Sequence, residues 1–271
     1  MSPSNPAVKD LVRDRAVAND SAVDARAGTE FKLTKKANNG ILYTLFWHGS
    51  MLLARGLARL GITPNLVSCS SFAFWVTGAF LFYEGTYTSG ILGAVCYFLG
   101  ICMDTADGKL ARMTDRCSYL GIWLDYNFDS LRYLLLYPPI AIAIFHSTGA
   151  FYPIVVAFAA VGIALVTDVL NTQFKQFPFA GEAKREYTKR SPLHRVLRQF
   201  YWTEGIETVV LLVAAALDRL EWYLLGWSAL LLAKYLAVAF IWGAKIAAAD
   251  RARKAAAAGP ASGPAREQVS S

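Results

Sequence analysis

The chain has 271 residues, 55% of them hydrophobic and only 17% charged, with a formal net charge of +7. That apolar content, bunched in long runs under a positive mean hydropathy, excludes an ordinary soluble domain and indicates a polytopic membrane protein. The excess of basic residues does not call for nucleic acid, and no nucleic-acid partner is expected, because basic residues flanking apolar runs are how membrane proteins fix their orientation.

Residues 1–37 mix Lys, Arg, Asp and Ala with few large apolar side chains and are expected to form a polar cytoplasmic arm. They lack the apolar core of a cleaved signal peptide, so the first span is expected to direct insertion. Residues 38–61 carry Leu45, Trp47, Met51, Leu52, Leu57 and Leu60, with Arg55 and Arg59 one turn apart. That pattern predicts an amphipathic helix lying in the membrane interface. Thr63-Pro64-Asn65 then opens the first span, with Thr63 as N-cap and Pro64 at the first helical position.

The predicted fold is an all-α integral membrane protein with six transmembrane helices preceded by the interfacial helix. The spans are expected at about 65–83, 89–113, 118–145, 151–174, 204–217 and 222–247, the fifth being the shortest. Together they make a six-span domain over 62–249, followed by a disordered cytoplasmic tail over 250–271 that is rich in Ala, Gly, Pro and Ser toward its end. All but Arg132, Arg219 and Lys234 of the 27 Lys and Arg fall on one side of this topology. That side is therefore expected to be the cytoplasm, with both termini there, and the membrane is expected to be a bacterial inner membrane. Cys69, Cys96, Cys102 and Cys117 form no CxxC pair, and neither a disulfide framework nor a zinc site follows from them.

Carboxylates inside a membrane are costly and point to function. Asp104, Asp107, Asp125 and Asp129 fall at the cytoplasmic ends of the second and third spans. Asp104, Asp107, Gly108 and Ala111 share one helix face, and Ser118, Gly121, Asp125 and Asp129 form a stripe on the next helix. A short turn joins the two helices, so the stripes can oppose one another. A single Asp near a helix end is usually a cap, but four on two facing stripes are not plausibly all caps. Four such carboxylates repel one another, and two divalent cations balance their charge. Oxygen donors suit Mg²⁺ or Mn²⁺ rather than zinc, and a metal pair of this kind clamps the attacking and leaving oxygens of a phosphoryl displacement. Gly108 and Ala111 clear the face for a nucleotide, and the planar fork of Arg112 suits a diphosphate oxygen.

The segment from Asp104 to Asp129 resembles the signature of the CDP-alcohol phosphatidyltransferase family, D-x2-D-G-x2-A-R-x8-G-x3-D-x3-D. Every fixed position is present: Asp104, Asp107, Gly108, Ala111, Arg112, Gly121, Asp125 and Asp129. Thr63-Pro64-Asn65 is similar to the family as well. The resemblance implies transfer of a substituted phosphate from a CDP-linked alcohol, such as CDP-diacylglycerol, to an acceptor hydroxyl with release of CMP, in phospholipid biosynthesis. It makes Asp104, Asp107, Asp125 and Asp129 the ligands of the metal pair and Asp129 also the general base. Gly108, Ala111 and Arg112 become CDP contacts, with Ser118 a further candidate, and a homodimer embedded among membrane lipids is implied. A soluble CDP-alcohol donor with a lipid or polyol acceptor is the alternative within the family. A cation transporter would explain the carboxylates but not the Gly108–Ala111–Arg112 spacing.

Among seven basic residues between Lys175 and Arg198, Lys175 lies closest to a span end and is the best acceptor-binding candidate. Glu204 and Glu207 read as acidic residues opening the fifth span, where they complement the helix dipole.

Overall fold

The computed structural model describes residues 41–174, 176–177 and 203–257. The polar arm expected over 1–37, Lys175, and the rest of the expected tail from residue 258 lie outside the described residues. Among the described residues every regular element is helical: α1 (Ile41–Arg59), α2 (Pro64–Glu84), α3 (Tyr87–Met113), α4 (Tyr119–Thr148), α5 (Tyr152–Phe174), α6 (Thr203–Ala216) and α7 (Leu220–Ala257). Five of them, α2, α3, α4, α5 and α7, are long and apolar enough to cross a membrane, while α6 is a shorter apolar helix. This is the build of an integral membrane protein.

Local chemistry accounts for most helix ends. Gly61 turns the chain at φ 70 after α1, a left-handed conformation that glycine adopts without a Cβ penalty. Thr63 occupies the N-cap of α2 with extended backbone and Pro64 follows it, but the threonine side chain makes no capping hydrogen bond. Gly85 at φ 68 ends α2, and Thr86 with Ser89 forms a reciprocal capping box at the start of α3. Ser118 caps α4 by accepting from Gly121 N at 3.0 Å. α4 continues through Pro138 and Pro139 to Gly149. α7 runs to Ala257, past the span end expected near 247 and into the tail expected to be disordered. Alanine and basic residues there are good helix formers.

The described residues fall into two compact units, one holding 41–162 and 203–229, the other 163–174, 176–177 and 230–257. In the first, α2 packs closely on α3. A Cβ on Gly78 would lie 3.1 Å from the Gly93 carbonyl oxygen, and one on Gly100 would lie 2.2 Å from Trp75 Nε1. Small residues thus bring the helices together where no solvent-driven collapse operates. The end of α3 packs on α1: Ala106, Leu110 and Met113 form one buried cluster with Met51, Ala54, Ala58 and Val67. Lys109 is 4% exposed and donates to Ser50 Oγ at 2.5 Å and to the Thr105 carbonyl at 3.2 Å. In the second unit Phe174 packs edge to face on Trp242. Large apolar side chains such as Leu66, Phe80, Leu92, Phe158 and Phe240 are exposed, as lipid-facing residues must be.

Candidate metal and nucleotide site

The last turns of α3 present two opposite faces. Ala106, Lys109, Leu110 and Met113 are buried and point to α1, which leaves Asp104, Asp107, Gly108 and Ala111 together on the other side. The chain then turns through Thr114–Cys117. Asp115 sits at φ 53 and Arg116 N donates to the Ala111 carbonyl at 2.9 Å. This turn reverses the chain into α4, which packs on α2 as α3 does. Phe128 of α4 stacks on Phe72 of α2 with ring centroids 4.4 Å apart, which seats the start of α4 against α2.

Asp104, Asp107 and Asp125 converge, each offering a carboxylate oxygen within 4.8 Å of the others. Asp107 is buried, Asp104 half-buried and Asp125 exposed, so the cluster opens to one side. Three hard oxygen donors at such separations fit a divalent cation of the Mg²⁺ or Mn²⁺ kind. Asp129 is not among the three. It lies one turn further along α4, half-buried, with Oδ1 removed from solvent.

Ser68 of α2 has no counterpart among the residues singled out from sequence. It is buried, and its hydroxyl donates to Asp107 Oδ2 at 2.5 Å. The same hydroxyl lies 3.2 Å from the Pro64 carbonyl, so Ser68 is fixed one turn into the helix that Pro64 opens. Asn65, also in that first turn, places Oδ1 3.1 Å from where a Cβ on Gly121 would stand, and Ser118 Oγ lies 3.2 Å from the same point. The signature glycine is therefore the residue that lets α2 approach the start of α4. At Gly108 a Cβ would meet only Arg112 Nη1, at 3.5 Å, so the guanidinium lies beside an open patch of backbone. Arg112 is exposed, Ala111 half-buried, and Ser118 exposed and engaged as a helix cap.

Glu207, expected to be a helix-opening acid, is instead 3% exposed. It accepts hydrogen bonds from Tyr137 at 2.5 Å and Tyr223 at 3.2 Å, which ties α4, α6 and α7 together.

Helices long and apolar enough to cross a membrane, two of them consecutive and bearing a carboxylate cluster, define a class of integral membrane protein. A family model for CDP-alcohol phosphatidyltransferases matches residues 61–242, and the chain belongs to that family. It is also 34% identical over 79 residues to the archaetidylinositol phosphate synthase of Pyrococcus horikoshii. That match covers 29% of this chain and 40% of the relative, so the chain spans less than half the length of that protein.

Proposed function

We propose that the protein transfers a substituted phosphate, in the first instance phosphatidyl from CDP-diacylglycerol, to the hydroxyl of an alcohol or polyol phosphate and releases CMP. The observation that carries this reading is the convergence of Asp104, Asp107 and Asp125 within 4.8 Å, beside an open backbone patch at Gly108 and the Arg112 guanidinium. Asp104, Asp107, Asp125 and Asp129 would hold two Mg²⁺ or Mn²⁺ ions. When bound, the ions neutralise the diphosphate and the departing CMP phosphate.

The remaining roles belong to the chain. Gly108 and Ala111 leave room for the nucleotide against α3, and Arg112 donates to a diphosphate oxygen. Ser118 is a further nucleotide contact at the mouth of the site. Asp129 takes the proton from the acceptor hydroxyl. The hydroxyl oxygen bonds to the phosphorus that bears the lipid, and the bond from that phosphorus to the bridging oxygen breaks, so the oxygen leaves with CMP. Lys175 is proposed to receive the anionic part of the acceptor. The name of the Pyrococcus horikoshii relative puts inositol phosphate first in the acceptor panel.

The setting proposed for this chemistry is a six-span bundle in which α6 is the fifth span. The polar arm lies before it, and α1 lies in the interface. Both termini and the site are on the cytoplasmic side of a bacterial inner membrane, and the protein is a homodimer. The distribution of basic residues supports this orientation.

The test is CMP release by the purified full chain. CDP-diacylglycerol and a soluble CDP-alcohol serve as donors, against inositol phosphate, inositol, glycerol 3-phosphate, serine and choline-type alcohols, with and without Mn²⁺ or Mg²⁺. Metal-dependent CMP release with one acceptor is expected. Folded protein that releases no CMP with any pair would sink the reading.

A further inference from the structure

The three helices around the site keep one register as they pass inward. Ser68, Asp107 and Asp125 form an upper layer, joined by the Ser68–Asp107 hydrogen bond and the approach of the two carboxylates. Seven residues along each helix, in the inward direction, stand Trp75, Gly100 and Arg132. These also form a layer. The Trp75 indole occupies the space over Gly100, and Arg132 Cζ lies 5.7 Å from the Trp75 ring centroid. Seven residues are two turns, about 10 Å of helix. Arg132 is therefore on the floor beneath the aspartates.

Burial along α4 agrees. Asp125, Asp129, Arg132 and Leu136 form one stripe at helical spacing, exposed at Asp125, half-buried at Asp129 and closed at the last two. Arg132 is only 1% exposed. A guanidinium does not give up its proton in a protein, so this is a permanent charge held out of water, and such a charge is costly unless opposite charge or polarisable groups offset it. The faces of Trp75 and Tyr133, the latter 5.2 Å away, supply one part. Asp129 stands three positions before it on α4, at the helical spacing from which a carboxylate can supply the other. The fully buried acids among the described residues of this unit are Asp107 in the upper layer and Glu207, which accepts from Tyr137 and Tyr223.

We propose that Arg132 is a positioning residue that acts as a resident counter-cation. Its charge holds the aspartates together when no metal is bound, and the same charge opposes metal loading, so the site stays assembled yet does not bind its ions excessively tightly. The proposal rests on the metal-site reading above. It gives Arg132 a role that neither the signature nor the acidic cluster contains.

Thermal unfolding of the purified full chain in detergent, followed across a Mn²⁺ titration, tests it with Arg132→Met and Arg132→Lys. Repulsion between the fixed charge and the ion requires two linked changes. Arg132→Met should unfold at lower temperature without metal, and its half-saturating Mn²⁺ should fall about tenfold, with a larger metal-induced rise in Tm. Arg132→Lys, which keeps the charge, should stay near the unsubstituted protein on both readouts. An equal loss of Tm with and without Mn²⁺, at an unchanged midpoint, would mean that Arg132 only packs on Trp75, and would overturn the proposal. The pair Asp129→Asn/Arg132→Met decides the matter if the single variant does not fold. Removing both charges should recover folded protein, and no recovery overturns the proposal. If Mn²⁺ leaves the Tm of the unsubstituted protein unmoved, the metal-site reading is what fails. The metal-free comparison of the single and double variants still judges Arg132, and a double variant no more stable than Arg132→Met counts against it.

Discussion

Ser68 on α2 and Asp107 on α3 are joined by a 2.5 Å hydrogen bond inside the bundle. The two residues are 39 positions apart, and the contact depends on Pro64 opening α2 so that Ser68 arrives one turn later, against the carboxylate. A hydroxyl donating to one oxygen of a carboxylate leaves the other oriented for a ligand, as partners behind metal ligands commonly do.

Removing that hydroxyl should therefore act on metal affinity before it acts on turnover. Ser68→Ala is expected to raise the Mn²⁺ concentration for half-maximal activity by about 10- to 100-fold, while activity at saturating Mn²⁺ falls less. Ser68→Thr should retain most of the affinity. A metal titration of CMP release checks both, and an unchanged midpoint in Ser68→Ala would remove Ser68 from the site.

Asp129 stands apart from the three converging carboxylates and is assigned the proton. Asp129→Asn keeps the shape and removes the base, so CMP release should fall by at least about 100-fold. The thermal unfolding profile should still show a single folded population, at a lower temperature because Arg132 loses its counter-charge. Activity within a few-fold of the unsubstituted protein would assign the proton elsewhere.

Gly100 has no room for a side chain, since Trp75 Nε1 stands 2.2 Å from where its Cβ would be. Gly100→Ala must displace a buried indole and part α2 from α3. A loss of about 1–3 kcal/mol is expected from overpacking of this kind, read as a lower unfolding temperature or denaturant midpoint in detergent. Unaltered stability would show that the indole can move without cost.

Tyr137 and Tyr223 both donate to Glu207. Glu207→Leu removes the acceptor of two buried hydroxyls and should cost about 2–6 kcal/mol, from about 1–3 kcal/mol for each unmet group. Tyr223→Phe removes only the longer bond and should cost about 1 kcal/mol. Equal losses in the two variants would contradict this arrangement.

Much of this architecture is legible in the sequence because its signals are local. Apolar runs end at Gly85 and Gly149, and Thr86 and Ser118 start helices by capping them. The signature positions lie on two consecutive helices joined by a short turn, so helical spacing puts Asp104 and Asp107 on one face and the turn returns Asp125 toward them. What the spacing leaves hidden depends on a third helix or on depth. Ser68 looks like one of several small residues in an apolar span, and only its place on the stripe with Ser71 and Trp75, all buried, distinguishes it. Lys109 counts toward orientation in the sequence, yet its ammonium group is buried against Ser50. Glu207 reads as a helix-opening acid because the tyrosines that bond it come from distant segments. Arg132 appears as an exception inside a span, although its offset of seven from Asp125 already marks the deeper layer.

The double-faced end of α3 has a consequence for how this segment can vary. Asp104, Asp107, Gly108 and Ala111 lie on the face of the proposed site, while Ala106, Lys109, Leu110 and Met113 are buried on the face toward α1. Most helices tolerate substitution on a solvent or lipid side, and a saturation scan of them rises and falls every three to four positions. Across 104–113 that rhythm should flatten into an almost unbroken block of intolerance, with Thr105 as the main relief. New substrate preference in this protein would then have to arise from helices other than α3.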